Sequence, residues 1–273
     1  KDLAITLTVR RNGTRILNRD EASEILKTVL LDNPSFFAVY TLWEPDQFDG
    51  SDSSWINTRG HDDTGRFMPC WTLDTNGEPF IEPLTNYKAE GDIDNYIVPR
   101  QANKPAVIGP YEYLVLGREV EILSFVAPII ENVEFKGIIG VDITADELQI
   151  MLDNLEAFDG KAVISIINSN FEYVAISGNP GKTGSSALDD YDDLQQIINS
   201  EEGIIFDYED GWLNCHYLLS IGELSESWIM VSVRVPEEII FSDAKAQIWK
   251  VILTAVILLL ASMIFIILVL GRY

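Results

Sequence analysis

The chain has 273 residues, with 19 Lys and Arg against 43 Asp and Glu, and a formal net charge of −24 at pH 7. A field of that sign repels phosphate polyanions and excludes a nucleic-acid binder. A hydrophobic content of 47% with 10% aromatic residues is enough to bury a core, which excludes a disordered chain, and the length suits one large domain or two small ones.

The first twenty residues are ambiguous: 3–9 is apolar with alternating Thr, and Asn12-Gly13 makes a turn or a helix break. Over 22–31 the spacing of Ile25, Leu26, Val29 and Leu30 predicts a helix that Pro34 ends. Residues 35–43 (SFFAVYTLW) then read as a strand. A long polar loop follows over 44–66, and its Phe48 and Trp55 predict that it packs on the domain. Strands are expected at 67–73, 106–108, 118–129 and 135–142, and Thr144 with Glu147 three residues on predicts a capped helix running to Leu155.

After Asp159-Gly160 the pattern restarts on a smaller scale, with strands at 162–167 and 173–176 around a turn at 168–170. A Gly/Ser-rich loop (177–186), a helix (190–199) and strands at 203–208, 213–220 and 228–233 follow. Pro236 opens a last helix that nothing breaks before residues 251–270 (VILTAVILLLASMIFIILVL). That uncharged run predicts a transmembrane helix, with Trp249, Lys250, Arg272 and Tyr273 as interfacial anchors. All the acidic residues precede Lys250, and positive-inside counting of that acidic part against Gly271, Arg272 and Tyr273 is expected to put the large part outside the cytoplasm. A start at Lys1 and an end three residues past the run point to a piece of a longer protein, with a further N-terminal membrane segment and a cytoplasmic output module expected.

The sequence offers little for covalent or metal chemistry. Cys70 and Cys215 are too few for a disulfide framework, and His61 and His216 are the only histidines, one in each module. Asp46, Asp49, Asp52, His61, Asp62 and Asp63 lack EF-hand spacing, so turn capping and pairing with Arg66 are expected in place of a metal. GKTGSS (181–186) lacks the spacing of a phosphate loop and reads as a surface loop. No nucleophile elbow or zincin motif is present, no cofactor is implied, and an enzyme is not expected.

Several segments carry a resemblance. YTLWEPDQFDG (40–50) with HDDTGRFMPCW (61–71), PYEYLVLGREVEILSFVAPI (110–129) and FKGIIGVDIT (135–144) are similar to motifs of the double-Cache sensor domains of prokaryotic chemoreceptors and sensor histidine kinases. The resemblance covers roughly residues 20–235. It implies an α+β fold of tandem Cache (PAS-like) modules, each an antiparallel sheet flanked by helices, with a long N-terminal helix and a C-terminal transmembrane helix. The divisions expected are 1–34 (N-terminal helical segment), 35–157 (membrane-distal module holding the ligand pocket), 158–235 (membrane-proximal module) and 236–273 (stalk and membrane helix). It further implies a parallel homodimer in the inner membrane, with residues 1–248 periplasmic or extracellular.

In such proteins an aspartate at the end of the G-V-D-I strand contacts a ligand amine, and Asp142 stands at that position. Read from the residues alone, an acid between Val141 and Ile143 is either used or serves structure, by capping the next helix or pairing with an arginine. The amino-acid-binding branch has an R-x-W-Y pattern facing this aspartate; 93–96 (IDNY) lacks the arginine and keeps Tyr96, which disfavours that clamp unless Arg100 reaches in. Tyr40, Trp43, Trp71, Tyr96, Tyr111 and Tyr113 are candidates for an aromatic box around Asp142. Such a box suits a small molecule of the amine, purine-like or amino-acid-derivative class. The function expected is small-molecule sensing passed to the membrane helix, with a partner-protein-binding ectodomain and a membrane-anchored ectoenzyme as the alternatives.

Overall fold

The computed structural model describes residues 17–84, 94–115, 118–191, 194–198, 204–220, 228–241, 250 and 252–254. Helix α1 (Arg19–Asp32) begins at a reciprocal capping box: Asn18 Oδ1 accepts from Glu21 N at 2.8 Å, and the Glu21 carboxylate accepts from Asn18 N at 3.3 Å. Ala22, Leu26 and Leu30 form its buried stripe.

The first sheet comprises β1 (Ala38–Trp43), β2 (Pro69–Leu73), β3 (Pro79–Pro83), β4 (Ala106–Val115), β5 (Arg118–Glu131) and β6 (Glu134–Thr144). Its order is β3-β2-β1-β6-β5-β4, antiparallel throughout. Every residue of β1 is buried, as a central strand with both faces covered requires. The side-chain period of two sorts the sheet into two faces. Val39, Trp43, Trp71 and Ile139 pack with Leu26 and Leu30 of α1. Ala38, Tyr40, Leu42, Met68 and Cys70 pack with Tyr96 and Val98 of α2 (Asp94–Ala102) on the other.

Two local features shape this second face. A bulge in β4 lets Ile108 pair with Ser124 and then Tyr111 with Ile122, so that Tyr111 and Tyr113 share the face of Ile108. Without it Glu112 would occupy that face. Gly140 pairs with Tyr40, and a Cβ there would stand 2.5 Å from the Tyr40 hydroxyl oxygen. The tyrosine ring therefore lies across bare backbone, beside residue 142.

Thr144 then caps α3 (Ala145–Asp153), its hydroxyl accepting from Glu147 N at 3.0 Å as the spacing predicted. The helix is shorter than the sequence suggested, stopping at Asp153. A second antiparallel sheet is built from β7 (Val163–Asn168), β8 (Tyr173–Ile176), β9 (Ile204–Glu209), β10 (Trp212–Ser220) and β11 (Trp228–Pro236), in the order β8-β7-β11-β10-β9. Short helices α4 (Leu194–Ile198) and α5 (Glu237–Ile240) accompany it.

The α+β class with antiparallel sheets is as expected. β3 and α2 were not anticipated: β3 lies between two prolines, and α2 carries Pro99 in its interior. β4 runs far beyond 106–108. Residues 1–16, and with them the first part of the expected N-terminal helical segment (1–34), lie outside the described residues, as does the run 251–270 apart from 252–254. Among the described residues no helix is long and apolar enough to cross a membrane.

Candidate functional site

Three strands converge on Asp142, which pairs with Ala38 of β1 and Ser124 of β5. Its side chain is only 6% exposed. Ser124 Oγ donates to Asp142 Oδ1 at 2.5 Å, Tyr111 Oη lies 2.7 Å from Ser124 Oγ, and Asn95 Nδ2 from α2 donates to Tyr111 Oη at 2.6 Å. Asn95 also reaches Ser124 Oγ at 3.3 Å. The fully buried Tyr40 hydroxyl stands beside the carboxylate and eases its ionisation, yet makes no hydrogen bond of proper geometry.

Burial dominates the electrostatics here. It raises the Asp142 pKa to about 7, against the smaller downward pull of Ser124 and Tyr40. Tyr40, Cys70 and Tyr113 are each pushed up by burial and, further, by the Asp142 charge. Among the described residues no Lys or Arg pairs with Asp142, and the helix cap is Thr144. Neither structural role that the residues alone allowed for this acid is filled. The result is a buried acid balanced between its two protonation states, surrounded by hydroxyls and an amide that can both donate and accept.

Of the aromatic box, Tyr40, Tyr111 and Tyr113 lie on the Asp142 face. Trp43 and Trp71 do not: strand parity places them on the α1 side, where Trp71 Nε1 donates to Ser23 Oγ at 2.9 Å and Trp43 packs edge-on to Phe48 at 5.0 Å. Tyr96 is on the Asp142 side of the sheet but its hydroxyl points to the far end of β1. There it donates to Glu44, accepts from Arg66 Nη2 at 3.2 Å, and has its pKa raised to about 12, chiefly by burial. Arg100 joins that end too, with Nη2 3.4 Å from Glu44 Oε1 and its guanidinium over the Tyr96 ring. Trp43 pairs with Gly137 and Ala38 with Asp142, which separates the two ends by five residues, about 17 Å. Arg100 is thus engaged away from Asp142.

Sequence reasoning missed Ser124 and Asn95. Ser124 had a usable signal, a hydroxyl between Leu123 and Phe125 in the otherwise apolar run from Ile122 to Ile130. Asn95 stood one position from Tyr96 but carried none beyond that.

The acid-rich loop over 44–66 is structural. Arg19, 1% exposed, places Nη2 2.6 Å from Asp49 Oδ1 and 2.5 Å from Asp52 Oδ1, while Nη1 donates to Gly65 O at 2.8 Å. Asp62 Oδ1 caps a turn, accepting from Thr64 N at 2.9 Å and Arg66 N at 3.1 Å. Among the described residues no cluster of three His, Cys, Asp or Glu is placed to hold a metal.

No protein-family model matches the chain. The methyl-accepting chemotaxis protein TlpQ of Pseudomonas aeruginosa is 26% identical over 181 residues, 62% of this chain, and the match spans 25% of TlpQ. The extracellular domain of the assigned histidine kinase mmHK1S-Z3 superposes with a TM-score of 0.59 at 26% identity, covering 89% of each chain. That of mmHK1S-Z2 gives 0.57 at 27% identity and 88% of each chain. The periplasmic sensory domain of the Campylobacter jejuni chemoreceptor Tlp1, at 16% identity, shares the fold with a TM-score of 0.51 over 88% of this chain and 87% of its own.

Proposed function

We propose that this chain, whose fold is that of the double-Cache sensor ectodomains of chemoreceptors and histidine kinases, detects a small ligand bearing a cationic or hydrogen-bond-donating nitrogen on the Asp142 face of its first sheet. One observation carries the ligand class: a carboxylate 6% exposed whose close partners among the described residues are all neutral. Such an acid is costly to ionise until a positive or donating group arrives. A protonated amine would supply the missing countercharge, and the rings of Tyr40, Tyr111 and Tyr113 would face its apolar or cationic surface. A flat heteroaromatic with an N–H donor fits the same chemistry through the Asp142–Ser124–Asn95 chain.

The sensor would face the periplasm or the outside of the cell. It would pass the signal along residues 236–273 to the membrane and on to an output module, as part of a dimeric receptor. The chain spans a quarter of the length of TlpQ, so the output belongs to this proposal alone.

The test is thermal unfolding of the chain against a panel of amines, purines and carboxylates, in parallel with Asp142→Asn. A ligand at 100 times its dissociation constant adds about 2.7 kcal/mol. A melting rise with amines or purines that vanishes in Asp142→Asn supports the proposal. No response to either class, or an equal response in the variant, overturns it.

A further inference from the structure

The second sheet borders a cavity of about 440 Å³ whose lining does not include Asp142, bounded by the sheet, the end of α3 and the loop after β8. That loop is the Gly/Ser-rich segment whose spacing ruled out a phosphate loop. One row of cross-strand partners on the sheet runs Val163, Arg234, Asn214 and Asp207; the next runs Ser165, Ser232 and His216. Rows at the centre of a small sheet are ordinarily apolar. Here Ser165, Ser232 and Asn214 are each 0% exposed and His216 1%. Burying so many polar groups together is unfavourable unless they are hydrogen-bonded, and here the bonds among them also hold one group in position.

What they position is Arg234. Asn214 Oδ1 accepts from Arg234 Nε at 3.2 Å, Asn214 Nδ2 donates to Asp207, and Asp207 Oδ2 meets His216 Nε2 at 3.1 Å. The guanidinium lies over the Tyr191 ring, 4.8 Å from its centroid, and over Trp212 at 5.3 Å. Tyr191 is itself fixed by Ser232, whose Oγ is 2.9 Å from its hydroxyl. One edge of the guanidinium is therefore held by the Asn214 chain and its plane by two rings. Among the described residues no carboxylate pairs with Arg234 and no acceptor meets its two terminal nitrogens. The other cations lining the cavity are Lys161 and Lys182. Lys182 is neutralised by Asp190, which also accepts from Tyr173 Oη at 2.8 Å and feels the Arg234 charge without pairing with it.

We propose that this cavity is a second binding site that takes a small organic carboxylate. Its two oxygens would meet the outer in-plane edge of Arg234 as a bidentate pair, with its body against Tyr191, Trp212 and Val163. A planar fork pre-set by stacking and by a buried amide suits that geometry, whereas a lysine at the same position offers only a point charge.

Titration calorimetry of the 273-residue chain with acetate, propionate, lactate and benzoate tests this, with chloride at equal ionic strength as the control. Saturable binding of at least one carboxylate is expected, weakened at least about tenfold by Arg234→Lys and unchanged in Asp142→Asn. The Asp142 variant separates this site from the proposed amine site. Arg234→Gln should abolish binding; if it fails to fold, Arg234→Lys, which keeps the stem and the charge, decides. Absence of saturable binding to the parent chain, equal binding by Arg234→Lys, or loss in Asp142→Asn would each overturn the assignment.

Discussion

Gln149 of α3 grips Ile176 of β8 with both ends of its amide: Nε2 donates to Ile176 O at 2.8 Å, and Oε1 accepts from Ile176 N at 2.9 Å. β8 is the edge of the second sheet, so the side-chain amide occupies the place of a missing neighbour strand. One turn later Asp153 Oδ1 accepts from Gly178 N at 2.8 Å. The helix that leaves Asp142's strand is thereby joined to the second sheet. Gln149→Leu strands the Ile176 N–H and leaves its carbonyl only the longer bond from Asn179 N at 3.4 Å, and chemical denaturation should show a loss of about 1–3 kcal/mol. A loss below about 0.5 kcal/mol would mean that the clasp contributes nothing to stability.

Asp142 should govern how stability depends on pH. Its folded pKa of about 7 lies above the reference value of 3.8, so the folded state holds the proton more tightly than the unfolded state. Its contribution is therefore fully present below about pH 4 and is lost as pH rises through 7, by an amount on the order of 4 kcal/mol. Asp142→Asn keeps the acceptor for Ser124 and removes the titration. The variant should melt above the parent at pH 8, and the two should converge near pH 4. A gap that stays constant from pH 4 to pH 8 would contradict the burial argument.

The Tyr40 hydroxyl is buried without a hydrogen-bond partner of its own. Tyr40→Phe should leave the melting temperature unchanged or raise it, because an unsatisfied polar group is removed. The same change withdraws a group that eases Asp142 ionisation, so the carboxyl midpoint, followed by carbon NMR, should move above 7. A marked fall in stability would show that the hydroxyl is satisfied in solution.

Arg19 is the buried member of its cluster, and Asp52 beside it is 7% exposed. Arg19→Met leaves two carboxylates without their cation, and the expected loss is about 3–5 kcal/mol. The pKa of Asp49, held low by the Arg19 hydrogen bond and charge against an opposing desolvation, should rise toward the ordinary carboxylate range. Denaturation curves at pH 7 check the first outcome, and carboxyl titration checks the second. A loss under about 1 kcal/mol would show the cluster to be solvated.

The core strands were legible because their chemistry is local. A run such as AVYTLW has no polar interruption except Thr41, whose hydroxyl is absorbed by Ile138 O at 2.7 Å, and Asp142 stood out as an acid among apolar neighbours. What escaped depends on pairing. No periodicity within β1 or β2 says which face of the sheet will carry Asp142, so Trp43 and Trp71 looked as suitable as Tyr40. The shift in β4 that brings Tyr111 and Tyr113 to the acid exists only against β5. The Asn18–Glu21 capping box was written in the sequence in the same form as that of Thr144 and Glu147, and it moves the start of α1 back to Arg19. The partners of Arg19 are 30 and 33 positions away, beyond the reach of any local pattern.

That last cluster also bears on the direction of any response. Arg19 sits in the first turn of α1 and ties it to Asp49, Asp52 and Gly65, so helix and loop form one plate bolted to the back of the first sheet. On the opposite face the described residues set no such bolt at Asp142, where a relay of neutral hydrogen bonds runs to α2. A ligand pressing on the acid would thus work against a stiff wall behind it and a compliant one in front. A short covalent and hydrogen-bonded connection leads from there, two residues along β6 to Thr144 and down α3 to the edge of the second sheet. The molecule is built like a lever with its fulcrum already clamped.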